Sequence, residues 1–381
     1  MKYLNKIKQI VGSKKKVVLT VTGGGTGVFG HLLNYGGGSE FLVEGIINYS
    51  MESTQDLIGT PDSYVSKEAA LKLAVAAYQR CVKLGVDPKE AHGVSTTAKL
   101  VTEGEREGRV HEIYAAYHSN DKSSYVHLRF EHDRSRVQEE YLCENFILDA
   151  LNQWFCGVDI ADKKNGLFTC MKKPEVIVGD TCETSPEIKE IIRDNRKVIV
   201  IHKSEGTWSQ RDLEKSRPLI FPGSFNPIHA QHLRMADAAY KKTDKQVWLE
   251  LSIGNTDKPA LDYITLRDRV LDIINKVASR DSVAGVVISN APLFIQKAEA
   301  INSCATFLMG MDTFNRMNEK KYYPKETKHI LDGYWVKLMV FSRKGDKRIY
   351  PSEFGDITTF ISKQEYKDTG LSSTQIRNAK N

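Results

Sequence analysis

From Pro218 onward the chain alternates short apolar segments with longer amphipathic ones, and that alternation leaves few folds open. Leu219–Phe221 is short and apolar, Pro222–Pro227 is dense in turn formers, and Ile228 to about Tyr240 carries Leu233, Ala236 and Tyr240 on one helical face. Val247–Ile253, Val286–Ser289, Thr306–Met309 and Lys337–Phe341 read as further strands, with helical segments such as Thr265–Ala278 between them. Strands separated by helices pair in parallel, because each helix is the crossover and covers a sheet face. Residues 217–381 are therefore expected to form a doubly wound parallel sheet that binds ligands at the carboxyl ends of its strands.

The first part of the chain repeats the logic. Val17–Val21 is a β-branched run followed by Gly23, Gly24, Gly25 and Gly27, which reads as a buried strand entering a glycine-rich turn. Phe41–Tyr49, Val110–His118 and Tyr125–Glu131 read as strand-like, Ser66–Lys83 and Arg136 to about Trp154 as helices. This predicts an α/β sandwich over residues 1–156. Between 157 and 216 the texture changes to charged runs, Pro174 and Pro186, with short apolar segments at Val176–Val178 and Val198–Ile201. That stretch is expected to be a partly ordered connector.

Composition narrows the function. Lys plus Arg number 54 against 48 Asp plus Glu, a net charge of +6 over 381 residues. The excess suits anionic small ligands better than nucleic acid, for which no long basic tract is present. The charge-free stretch Val17–Leu33 contains five glycines and His31 and is too short to span a bilayer comfortably, so no membrane association is expected. Lysines precede Glu40, but without arginine or an uninterrupted apolar core they do not read as a targeting peptide. Cys81, Cys143, Cys156, Cys170, Cys182 and Cys304 are scattered with no C-x-x-C pair, which predicts reduced thiols, a cytoplasmic location and no metal site.

The chemistry is concentrated in two segments. Gly223-Ser224-Phe225-Asn226-Pro227-Ile228-His229-Ala230-Gln231-His232 follows the strand at 219–221. Gly223 permits a tight turn that brings the backbone of Gly223, Ser224 and Phe225 near a phosphate, and Pro227 is pre-set for a helix start whose positive end attracts anions. His229 and His232 share one face of the first turn and can donate to a phosphoryl group as it gains charge. Alone, two such histidines are better explained by surface or capping roles, and a metal pair would favour the H-E-x-x-H spacing. The strand, turn and helix start ahead of them favour the phosphate reading. Later, Leu371-Ser372-Ser373-Thr374-Gln375-Ile376-Arg377 offers hydroxyls at a helix N-cap and a guanidinium one turn on, a clamp for a phosphate or an ordinary capped helix.

Together these segments resemble the nucleotidylyltransferase superfamily, which joins a [His/Thr]-x-x-His motif after its first strand to a late S-S-T-x-I-R motif. The likeness is greatest to nicotinamide mononucleotide adenylyltransferases, on Gly223–Ile228 and His232-Leu233-Arg234-Met235; Gln231 replaces the glycine of the bacterial form, which the eukaryotic form also lacks. Lys258, Leu261 and Arg267 resemble the family's K-x-x-L-x-x-x-x-x-R segment, Gly310-Met311-Asp312 its G-x-D turn, and Arg343-Lys344-Gly345 its R-x-G. The resemblance implies a Rossmann-like domain in which an acceptor phosphate attacks the α-phosphorus of ATP. His229 and His232 would meet the α and β phosphates, Ser372, Ser373, Thr374 and Arg377 the triphosphate, and Lys258, Arg267 and Asp312 the acceptor, with Mg²⁺ carried by ATP. Nicotinamide mononucleotide is the acceptor favoured. A phosphopantetheine adenylyltransferase, a cytidylyltransferase and a non-catalytic nucleotide-sensing regulator stand as alternatives. The family's W-E segment that stacks nicotinamide has no counterpart: of the four tryptophans, Trp335 lies nearest the expected region and Trp248 reads as core.

Within the first 156 residues, the stretch from about 17 to 155 resembles the C-terminal domain of the competence-damage-inducible protein family, a nicotinamide mononucleotide deamidase, in the first strand and its glycine turn, Tyr49-Ser50 and Val65-Ser66-Lys67-Glu68-Ala69. That family continues its first strand into E-S-C-T-G-G with a serine nucleophile; here Thr22-Gly23-Gly24-Gly25-Thr26-Gly27 stands instead. A glycine cannot attack an amide, which implies an inactive domain that senses ligand, serves as scaffold, or joins copies into a homo-oligomer; a hydrolase retained through Thr22 or Thr26 stands as the alternative.

Overall fold

The computed structural model describes residues 3–34, 36–105, 107–131, 133–162, 167, 170–173, 175–204, 206–208, 210–302, 304–317, 321–323, 326–342, 352–366, 368, 370 and 373–378. The chain divides into two compact units, Met1–Thr184 with Asp257–Thr265, and Ser185–Thr256 with Leu266–Asn381. Among the described residues no helix is long and apolar enough to cross a membrane, and none of the six cysteines is in a disulfide.

In the first unit the elements run α1 (Leu4–Gly12), β1 (Lys16–Thr22), α2 (Val28–Leu33), α3 (Gly38–Phe41), β2 (Leu42–Ile46), α4 (Met51–Ile58), α5 (Lys67–Lys83), β3 (Ala91–Lys99), β4 (Glu112–Ser119), β5 (Lys122–Arg129), α6 (Arg136–Cys156) and β6 (Ile177–Glu183). They build a six-stranded sheet in the order β2-β1-β3-β4-β5-β6. Its β2-β1-β3 part is parallel and the remainder antiparallel. Strand alternation divides the core between two faces. Val17, Leu19 and Val21 pack with Ile7, Ile10, Leu32, Phe146 and Leu151 on one side, while Val18 packs with Ala77 and Cys81 of α5 on the other. The α5 helix lies so close to β3 that a Cβ at Gly93 would fall 2.0 Å from the Ala74 carbonyl oxygen. The motif serines Ser50 and Ser66 are N-caps, accepting from Ser53 N–H at 3.2 Å and Ala69 N–H at 3.1 Å.

The second unit continues with α7 (Pro186–Arg193), β7 (Val198–His202), β8 (Gly206–Trp208), α8 (Gln210–Lys215), β9 (Leu219–Pro222), α9 (Ala230–Thr243), β10 (Val247–Ser252), α10 (Tyr263–Val277, entered from the first unit), β11 (Val283–Ser289), α11 (Phe294–Ile301), β12 (Thr306–Gly310), α12 (Met311–Arg316), α13 (Thr327–Gly333) and β13 (Lys337–Phe341). A 3₁₀ turn (Ser352–Ile357), β14 (Thr358–Ile361), α14 (Lys363–Tyr366) and α15 (Ser373–Asn378) follow. The eight-stranded sheet has the order β14-β13-β12-β9-β10-β11-β7-β8. From β14 to β11 every pairing is parallel; β7 and β8 add an antiparallel edge. This is the doubly wound sheet that the alternation of strands and helices predicts.

The segment 157–216, expected to be a connector, instead divides between the units. Its strand β6 pairs with β5, and β7 with β11. Strand β6 forms the edge of the first sheet, while β7 lies between β11 and the edge strand β8.

Two buried histidines give the first unit a pH dependence. Burial pushes His118, held by Ser123 Oγ at 2.8 Å, down to about 3. Burial, with lesser repulsion from Lys15, pushes His92 beside the Tyr117 hydroxyl down to about 4. Unfolding returns each to an ordinary value of about 6.5, so below that pH the unfolded chain binds more protons and stability falls as pH falls. Each histidine adds a slope of at most about 1.4 kcal/mol per pH unit between pH 6 and 4. The urea midpoint of the first unit should drop from pH 7 to pH 5, and His118→Asn should flatten that drop. Equal midpoints at pH 7 and pH 5 in the wild type would contradict the account.

Candidate active site

In the second unit's sheet the chain leaves β9 outward through β10 and β11, then returns to β9's other side to begin β12. The order therefore reverses between β9 and β12, and a doubly wound sheet opens its ligand crevice at the carboxyl ends of the strands on either side of such a switch. The loop after β9 is Gly223–Ile228, and the turn after β12 is Gly310–Asp312, so both motif segments emerge at this crevice.

The loop has no regular structure and is held by specific anchors. The Gly223 N–H donates to the Glu250 carbonyl at 3.1 Å, so this donor is spent on β10 and not offered to a phosphate. Glu250 is itself fixed: its buried carboxylate accepts Lys297 Nζ at 2.9 and 2.8 Å and the Ser289 hydroxyl. The reason for glycine at 223 is Phe225, whose φ is +42° and whose ring is buried across it. A Cβ at Gly223 would meet that ring's Cζ at 2.7 Å. Three cations hold alternate carbonyls of the loop: Arg269 Nη1 on Ser224 at 3.1 Å, Arg377 Nη1 on Asn226 at 2.6 Å, and Lys276 Nζ on Ile228 at 3.2 Å.

The helix begins later than Pro227 implies. His229 is the extended N-cap residue of α9 (φ −142°, ψ 173°), and His232 is its third helical residue. The rings stack with centroids 3.7 Å apart and planes at 28°, and Phe225 packs edge-on against His232 at 5.1 Å. The His229 N–H donates to His232 Nδ1 at 3.3 Å. An accepting Nδ1 places the neutral ring's proton on Nε2, so His232 is fixed in the tautomer that donates from its far nitrogen. A donor aimed from a helix N-terminus is matched to phosphoryl oxygens.

The other expected residues are distributed unevenly. Arg377 joins the late motif to the histidine loop, by a carbonyl rather than a phosphate. Ser373 and Thr374 open α15; Ser372 and Arg343-Lys344-Gly345 lie outside the described residues. Asp312 is exposed in the first turn of α12 at the crevice. Arg267 pairs with its neighbour Asp268, Nη2 to Oδ1 at 2.7 Å. Lys258 belongs to the stretch Asp257–Thr265 grouped with the first unit, where its stem packs beside Gly59. Trp335 precedes β13 and so lies at the amino end of the sheet, which removes it as a platform for a base bound at the crevice. Trp248 is buried. Among the described residues no group of three His, Cys, Asp or Glu could hold a metal ion.

Sequence reasoning missed Arg269 and Lys276. Two residues along a helix turn by about 200°, so Arg267 and Arg269 face nearly opposite directions and only one can serve the loop. Nothing in the local sequence says which, although the i, i+7 spacing of Arg269 and Lys276 places those two on one face.

In the first unit the glycine turn after β1 is closed from within. Glu140 Oε2 accepts the Gly25 N–H at 2.6 Å, and Arg136, paired with Glu140, donates to the Gly23 carbonyl at 3.1 Å. A carboxylate of the chain itself thus takes the backbone donor that a ligand anion would use. Cys143, beneath the turn, has its thiol pushed far up by burial and is no thiolate nucleophile.

The switch-point crevice, the histidine pair at a helix start and the guanidinium tie to the late motif lie in one α/β domain. Residues 220–379 match the cytidylyltransferase-like family, of the nucleotidyltransferase superfamily. No match exists among curated proteins. Solved structures similar to the N-terminal part include a competence/damage inducible protein of Agrobacterium tumefaciens (19% identity, 40% of this chain and 97% of that one, TM-score 0.33). Two proteins of the CinA superfamily are also similar, from Enterobacter cloacae (12%, 39% and 89%, TM-score 0.31) and Escherichia coli (14%, 41% and 90%, TM-score 0.31).

Gly223→Ala tests the anchor. The new methyl must displace the Phe225 ring and with it His232; overpacking of this kind costs about 1–3 kcal/mol, and a misplaced donor costs up to about a hundredfold in turnover. Thermal melting and nucleotidyl-transfer rate should both fall, and Phe225→Leu added to Gly223→Ala should recover part of the stability. An unchanged rate in Gly223→Ala would contradict the anchoring role.

Proposed function

We propose that the C-terminal domain transfers AMP from ATP to nicotinamide mononucleotide, forming NAD and pyrophosphate. The observation that carries this reading is the pairing of His232, fixed as an Nε2 donor at the start of α9, with Arg377, which ties α15 to the same loop. A phosphate oxygen of the acceptor attacks the α-phosphorus in line; the bond from that phosphorus to the bridging oxygen breaks, and pyrophosphate leaves with the electron pair. No covalent protein intermediate is required, so positioning and charge stabilisation carry the step.

His229 and His232 donate to α and β phosphate oxygens, joined by the backbone of Ser224 and Phe225. The hydroxyls of Ser372, Ser373 and Thr374 hold the outer phosphates, and Asp312 at the opposite lip of the crevice binds the acceptor. Mg²⁺ enters with the triphosphate as part of the substrate, screening its charge while retaining water ligands. The choice of acceptor is supported by Gly223–Ile228 and His232–Met235, and by the likeness of the first 156 residues to a family that acts on the same mononucleotide. The first domain itself serves as an inactive scaffold, since Glu140 occupies the turn and glycine stands at the nucleophile's position.

Pyrophosphate release should be greatest with ATP plus nicotinamide mononucleotide, when ATP and CTP are each paired with nicotinamide mononucleotide, phosphopantetheine and a phosphorylated alcohol. His232→Ala should lower kcat at least tenfold to a hundredfold, with a smaller effect on ATP affinity. A preference for another pair would replace the acceptor, and wild-type kcat in His232→Ala would remove the mechanism.

A further inference from the structure

The end of the second unit's sheet away from the histidines holds its own cavity. About 570 Å³ in volume, it lies at the amino ends of β9, β12 and β13, and Arg217, Lys245, Lys337, Thr306 and Trp335 line it. A smaller cavity of about 230 Å³ adjoins it and shares the Arg217, Leu219 and Lys245 wall. Its size is that of a site for a mononucleotide-sized ligand.

Its lining is unusual in three respects. First, among the described residues three cations line it and no acidic residue does. Lys245 Nζ donates to the Ser216 and Arg217 carbonyls, at 3.5 and 3.4 Å. Asp356, which feels the charge of Lys337, is bound by Lys328 at 3.1 Å. Among the described residues none of the three cations is in an ion pair. Like charges gathered without a carboxylate repel one another and gain from a multivalent anion. Second, Trp335 is 75% exposed, leaving a large planar face in water where stacking would cover it. Third, Arg217 and Trp335 both sit in the left-handed backbone region, at φ +49° and +54°. Non-glycine residues adopt that conformation at a cost, and such costs collect at ligand sites.

The register gives the spacing. Lys337 lies opposite Thr306, and Thr306 opposite Leu219, so the ring before β13 and the guanidinium before β9 stand about two strand spacings, or ~10 Å, apart. We infer that this cavity is a second binding site for a nucleotide-like ligand, a planar heterocycle stacked on Trp335 with its phosphate between Arg217, Lys245 and Lys337. The histidine crevice opens at the other end of the strands, about 15–20 Å away, so a ligand here occupies a place separate from the reacting phosphates.

The test uses AMP as probe on the full-length protein, with adenosine and inorganic phosphate as separate arms. Equilibrium dialysis should show a class of AMP binding that quenches tryptophan fluorescence. Trp335→Ala and Lys337→Glu, both at exposed positions, should each weaken that class by about tenfold to a hundredfold, and Trp335→Ala should abolish its quench. His232→Ala should leave it unchanged, so a failure of the transfer reading would not disturb it. Adenosine and inorganic phosphate should each bind at least tenfold more weakly than AMP. AMP binding identical in wild type, Trp335→Ala and Lys337→Glu would overturn the inference. So would inorganic phosphate binding there as tightly as AMP, since the ring would then not be recognised.

Discussion

One hydrogen bond joins the two halves of the C-terminal site: Arg377 Nη1 to the Asn226 carbonyl, closing a separation of 151 residues. The loop it reaches contains no ladder or helical hydrogen bonding of its own. Its shape follows from cations on three carbonyls, from one backbone bond to β10 and from the buried Phe225 ring. Charged donors to carbonyls form the stronger class of hydrogen bond, and here they fix a loop that must present imidazoles in one orientation. His232 inherits that order, because the backbone it accepts from is held by the same loop.

The sheet gives the site its location. Parallel strands place every amino end on one side and every carboxyl end on the other, and the reversal of order between β9 and β12 opens the crevice only at the carboxyl side. Helix α9 then directs its N-terminus and the histidines there. The same geometry sends the segments before β9, β12 and β13 to the far side, where cations and Trp335 collect. One topology thus creates two chemically different ends, one rich in donors fixed by the fold and the other in cations that form no ion pair among the described residues.

Much of this was legible in the sequence where local chemistry decides. The strand, turn and helix around residues 219–240 follow from apolar periodicity and turn formers, and His229 with His232 follows from spacing. What the sequence hid depends on distant partners. Gly223 reads as a phosphate-contacting turn glycine, yet it makes room for a ring two residues on. Arg267 and Arg269 differ only in helical phase, which a resemblance in spacing does not resolve. Strands β6 and β7 are short and polar-flanked, so they read as connector until an edge strand is available to pair with them. In the first unit the glycine turn invites a phosphate, but Glu140, more than a hundred residues later, fills the donor.

The most direct measurement is the fate of the α-phosphate. ATP labelled at its α-phosphorus, incubated in a single turnover with the full-length protein and nicotinamide mononucleotide, should deliver all transferred label to the dinucleotide, with unlabelled pyrophosphate and no labelled protein. Label that remains in ATP, or appears in free AMP or on the protein, would contradict direct transfer at the crevice between β9 and β12.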